Sequence, residues 1–165
     1  MSVTMTQAVE AVKSMFEENG WRYKFDEESM IFTTGFNLSE TKLGSTNISI
    51  LIRPVYDDPE HCFRINSYAG IGLKADSDNI QQVCEYITRA NYGLNFGNFE
   101  LDFSDGEIRF KVSYNVKDGL VGFDALDDMI SQPVTMLNQY GNGLMSVIMG
   151  MMSPEEAIRK AEEEE

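Results

Sequence analysis

Residues 91–111, NYGLNFGNFELDFSDGEIRFK, constrain the fold more than any other stretch. From Phe99 onward, apolar and polar side chains alternate on both sides of an Asp-Gly pair. A period of two belongs to strands, because successive side chains of a strand point to opposite faces. Asp105-Gly106 predicts a two-residue hairpin turn, since both central positions of such a turn need positive φ. With that turn, Phe103 lies opposite Ile108, Leu101 opposite Phe110, and Phe99 opposite Val112. On the other side Asp102 faces Arg109 and Glu100 faces Lys111. Each opposite-charge pair contributes a few tenths to about 1 kcal/mol. One greasy face and one charged face suit an antiparallel sheet covered by helices on one side only. The fold class is therefore α+β, an antiparallel β-sheet with helices packed on one face.

The rest of the chain fits that scheme. Met5, Ala8, Val9, Val12, Met15 and Phe16 share one face of a helix over 4–19, with Thr4 and Gln7 as a capping box. Strands follow at 21–25, 30–36, 47–55 and 61–69, and Pro54 ends or edges the third. Gly70-Ile71-Gly72 reads as the turn into a second helix over 78–91, capped by Asp76, Ser77 or Asp78. A long helix spans 123–151, which Pro133 should kink or divide and Gly141 and Gly143 should loosen. Ser153-Pro154-Glu155-Glu156 starts a last, very acidic helix. Residues 1–152 form one domain, and 153–165 form an acidic helical tail that frays.

Composition then limits function. The chain has 165 residues and a formal net charge of −14. Nucleic acid and anionic membrane surfaces both call for a basic footprint, so neither is an expected partner. The apolar run GLMSVIMGMM is about half of the roughly 20 residues that a membrane span needs. The N-terminus does not read as a secretory signal. Cys62 and Cys84 are too few for a disulfide scaffold and read as buried thiols of a reducing cytoplasm.

No catalytic or cofactor constellation stands out. Glu100, Asp102, Asp105 and Glu107 read as sheet and turn carboxylates. Asp57, Asp58 and Glu60 cluster with His61, the only histidine, but their spacing matches no ligand motif. A Ser-His-Asp or Cys-His arrangement would have to use His61, and the adjacent Cys62 points to the opposite side of a strand. Gly70, Gly72 and Lys74 lack the spacing of a phosphate loop. No metal and no cofactor is expected.

The end of the long helix is different. Leu144, Met145, Val147, Ile148, Met149, Met151 and Met152 surround it rather than forming a stripe, and a helix apolar all round is buried on more than one side. One side is core. The other is either a homodimer contact or an adaptable groove for a partner segment, for which methionine is suited. Leu144, Met145, Ile148, Met149 and Met152 are the candidate protein-contact residues.

Residues 87–116, ITRANYGLNFGNFELDFSDGEIRFKVSYNV, resemble the signature region of the YbjN-like proteins, described as bacterial sensory transduction regulators. The order of elements extends the resemblance over about residues 5–150. It implies a type III secretion chaperone-like fold, commonly a dimer. Asn91, Gly93, Gly97, Phe99, Asp102, Asp105, Gly106 and Arg109 carry it as a structural signature, and no catalytic set comes with it. The expectation is a non-enzymatic cytoplasmic homodimer that binds an unidentified protein partner in a chaperone-like or regulatory role. The alternative is a small-ligand or ion sensor using Gly70, Gly72, Lys74 and the 57–61 turn.

Overall fold

A computed structural model describes residues 4–55, 58, 60–117 and 122–163. The element order is α1 (Met5–Glu18), β1 (Lys24–Asp26), β2 (Ile31–Asn37), β3 (Ser45–Pro54), β4 (Cys62–Lys74), α2 (Ile80–Gly93), β5 (Asn98–Leu101), β6 (Glu107–Lys117), α3 (Phe123–Ile148) and α4 (Pro154–Glu163). The strands form one antiparallel sheet in the order β1-β2-β3-β4-β6-β5.

Alternation decides which face is covered. Ile48, Ile50 and Ile52 of β3, Phe63 and Ile65 of β4, and Ile108, Phe110 and Val112 of β6 are buried. They meet Val12 and Phe16 of α1, Val83 and Tyr86 of α2, and Leu126, Leu137 and Leu144 of α3 in a single core. The residues between them on the strands are half-buried or exposed and mostly polar. The expected α+β sheet with helices on one face is what forms. The Thr4–Gln7 capping box is also present, with Thr4 N–H donating to Gln7 Oε1 at 2.9 Å and Gln7 N–H to Thr4 Oγ1 at 3.2 Å.

The hairpin forms with its faces as read but in a different register. Glu100 lies opposite Arg109, Phe99 opposite Phe110 and Leu101 opposite Ile108. The loop is therefore longer than two residues. Asp102 Oδ1 accepts the Ser104 N–H at 2.8 Å and the Ser104 hydroxyl at 2.6 Å, and Gly106 N–H returns to the Asp102 carbonyl at 2.8 Å. A short polar side chain bonding two residues ahead builds a turn of its own, and here it overrides the Asp-Gly signal. The shift of two keeps every side chain on its face. Phe103 is the exception: it sits in the loop and is 56% exposed rather than in the core.

The register change also redistributes the charges. Glu100 takes both Arg109 (2.8 Å) and Lys111 (2.9 Å), while Asp105 pairs with Lys74. Burial pushes the Glu100 carboxyl up, but the hydrogen bonds from Lys111 and Arg109 hold it below its ordinary value of 4.5. A depressed carboxyl favours the folded state above the unfolded value, and that share is lost as pH falls through the folded one. In acid titrations followed by circular dichroism, Glu100→Gln should lose less stability than wild type below about pH 4.5. Equal acid sensitivity of the two proteins would remove this assignment.

Asn91 has a role that its signature position did not explain. Its side-chain oxygen accepts the Phe99 N–H at 2.7 Å and its Nδ2 donates to the Phe99 carbonyl at 2.9 Å. One carboxamide thus stands in for the missing neighbour of the edge strand β5, which otherwise offers unpaired backbone groups. Asn91→Ala should cost about 2 kcal/mol, read as a fall of roughly 4–8 °C in the melting midpoint. A midpoint within a degree of wild type would show that water replaces the carboxamide freely.

Three further expectations change. Gly70-Ile71-Gly72 is not a turn: β4 runs through it to Lys74, with a bulge against β6 between Gly70 and Lys74 that uses Gly72 at φ +74°. A glycine in a strand interior marks such a bulge. Pro133 does not divide α3, which is one helix of 26 residues. Gly141 and Gly143 give close approach rather than looseness. A Cβ at Gly141 would lie 2.6 Å from Leu43 Cδ1, and one at Gly143 would fall on the Tyr86 hydroxyl. That hydroxyl donates to the Tyr140 carbonyl at 2.7 Å.

A methionine-lined groove between two helices

The acidic end of the chain is docked rather than frayed. Pro154, Ala157 and Ile158 of α4 are buried, and the helix lies against α2 and α3. Gly150 at φ +65° ends α3, and the Met151 N–H returns to the Ser146 carbonyl at 2.8 Å. The chain then reverses, and Ser153 Oγ accepts the Glu156 N–H at 3.2 Å as α4 begins.

This reversal leaves a groove of about 820 Å³ between α3, α4 and the loop at residues 40–42. Met145, Met149, Met151 and Met152 line it, with Ala157 and Ala161 of α4 along one wall. The opposite wall is fixed to α3 by two amides. Asn138 Oδ1 accepts the Glu40 N–H at 3.2 Å; Asn142 Oδ1 accepts the Lys42 N–H at 2.9 Å, and its Nδ2 donates to the Glu40 carbonyl at 3.1 Å. The site therefore has pinned walls and a repackable lining, since methionine has three rotatable bonds and no branching.

The sequence-derived contact residues divide between core and groove. Met145, Met149 and Met152 line the groove, and Met149 is 61% exposed. Leu144 is fully buried and belongs to the core. Ile148 is half-buried and packs inward, and its carbonyl accepts Asn79 Nδ2 at 3.0 Å. The sequence reading missed Thr135, Asn138 and Asn142. Together with Met145 and Met149 they form a second stripe at spacings of three and four, the row of neighbours along one helix side.

The sensor candidates are not brought together. His61 Nδ1 lies 3.1 Å from Asp58 Oδ1 at one end of β4. Gly70 is nine residues along the same strand, roughly 30 Å away at 3.3 Å per residue. Lys74 is committed to Asp105. Asp57 lies outside the described residues. Gly70 and Gly72 instead border a second cavity of about 460 Å³ with Lys42, Thr46 and Asn47, next to the groove through Met145. Cys62 and Cys84 are free thiols, half-buried rather than buried. Among the described residues no helix is long and apolar enough to cross a membrane.

Residues 8–145 match the YbjN family, described as "Putative bacterial sensory transduction regulator". No curated protein matches the chain. Among solved structures it is similar to a chain in the crystal structure of the ExsC–ExsE complex. The two are 11% identical with a TM-score of 0.46, over 82% of this chain and 90% of that one.

Proposed function

The chain belongs to the YbjN family, and from that premise we propose that it is a non-enzymatic, cytoplasmic protein-binding module, a regulator or chaperone acting as a homodimer. The methionine-lined groove carries this reading. Its occupant is an amphipathic segment of a partner protein, with an apolar side for Met145, Met149 and Met152 and a basic flank for a chain of net charge −14. Residues 1–152 form the binding domain on this reading, and the acidic helix beyond 153 closes one side of its groove.

The site's chemistry supports binding over catalysis. Asn138 and Asn142 are engaged with backbone groups of the wall, Lys160 pairs with Glu156 at 3.2 Å, and the lone histidine is at the far end of β4, 3.1 Å from Asp58. Native mass spectrometry of the protein isolated from its source tests the proposal. A dimer mass with one stoichiometric protein partner supports it. A monomer carrying a small-molecule mass would instead favour a sensor, with the 460 Å³ cavity as its ligand site.

A further inference from the structure

The face of the sheet turned away from the helices is a separate surface, and it breaks a rule of strand pairing. Arg53 of β3 and Arg64 of β4 are register partners, and like charges directly opposite each other destabilise an antiparallel pair. Their bonds go to neutral acceptors. Arg53 donates to the Ser29 carbonyl and to the Ile52 carbonyl, and Arg64 Nε donates to Asn115 Oδ1 at 2.7 Å. Among the described residues no carboxylate lies within ion-pair distance of either guanidinium.

The same face carries Arg109, stacked 4.3 Å over the Tyr68 ring, and Lys111; these two cations share the single carboxylate of Glu100. The chain has 27 acidic and 13 basic residues, so two cations without a carboxylate partner, facing each other near the loop end of β3 and β4, run against its composition. A local rule broken without local compensation marks a functional surface.

We propose that the open face of the sheet docks an acidic segment of a partner protein, whose carboxylates sit on Arg53 and Arg64. Guanidinium pairs favour carboxylates through bidentate, charge-assisted bonds. A nucleic acid fits less well. Tyr68 on this face is already covered by Arg109 where a base would stack. The surface is independent of the groove, so either assignment can fail alone.

Fluorescence anisotropy of labelled deca-glutamate against the full chain tests the idea. Saturable binding is expected at low salt, about tenfold weaker at physiological ionic strength. Arg64→Glu, and Arg53→Glu with it, should weaken binding at least tenfold. Met149→Asp should leave it unchanged. Because Arg64→Glu converts a like-charge pair into an opposite-charge one, its melting midpoint should equal or exceed that of wild type, which a purely structural role for Arg64 would not give. The proposal is overturned by absence of saturable binding or by full binding in the Arg64→Glu variant. Tighter binding of an oligothymidylate, or self-association that Arg64→Glu abolishes, would overturn it in favour of nucleic acid or of a second copy.

Discussion

Gly106→Ala should lower the unfolding free energy by on the order of 4 kcal/mol, a fall of roughly 8–16 °C in melting midpoint. Two costs add at this position. Gly106 has φ +75°, where an L side chain is strained by about 1–2 kcal/mol. A Cβ there would also overlap the Ala75 carbonyl oxygen, and the Ala75 N–H donates to the Gly106 carbonyl at 2.9 Å. The hairpin loop and the exit of β4 are thus in backbone contact, and neither can retreat without losing that bond. Gly44→Ala separates the two costs, because Gly44 has the same φ with nothing within 4 Å of an added Cβ. It should lose only about 1–2 kcal/mol. Equal losses in the two variants, measured by urea denaturation, would show that the contact with Ala75 is not what requires glycine.

The second large effect concerns binding. Met145→Asp with Met149→Asp should weaken partner capture by about a hundredfold or more, because each change removes apolar contact and buries a charge against the partner. Folding should barely notice Met149→Asp alone. That side chain is 61% exposed, and exposed substitutions stay within about 0.5 kcal/mol of wild type. Loss of binding with an unchanged melting curve separates a contact residue from a structural one. If the double variant captured its partner normally, the groove would not be the binding site.

Much of this arrangement is legible in the sequence, and the exceptions have physical causes. Strand alternation assigned the core face of the hairpin because a register error of two residues preserves faces. It could not set the register, which depends on whether Asp102 or the Asp-Gly pair controls the turn, and the Asp102–Ser104 bonds decide that. Gly70 and Gly72 carry the same residue signal for a turn and for a bulge; pairing with β6 on one side only makes the difference. Gly141 and Gly143 look like helix breakers until Leu43 and Tyr86 are placed against them, and both neighbours come from distant sequence.

The site shows the same division. Surplus apolar residues at the end of α3 flagged a surface, and the structure makes it a groove. Leu144 and Met145 are adjacent in sequence, yet the helical turn sends one to the core and the other to the groove. The Thr135, Asn138, Asn142, Met145, Met149 stripe was available at helical spacing but was obscured because three of its five residues are polar. The bonds that Asn138 and Asn142 make to residues 40–42 span about a hundred positions and leave no local trace.

The most direct test of the groove places a photo-crosslinking amino acid at Met149 and irradiates the source cells. The account predicts one dominant adduct with a different protein, lost when Met145→Asp is added, and no such adduct from a crosslinker at exposed Glu17 of α1, which lines neither the groove nor the open face of the sheet. No protein adduct at Met149, or the same adducts from both positions, would contradict the claim that this groove holds a partner.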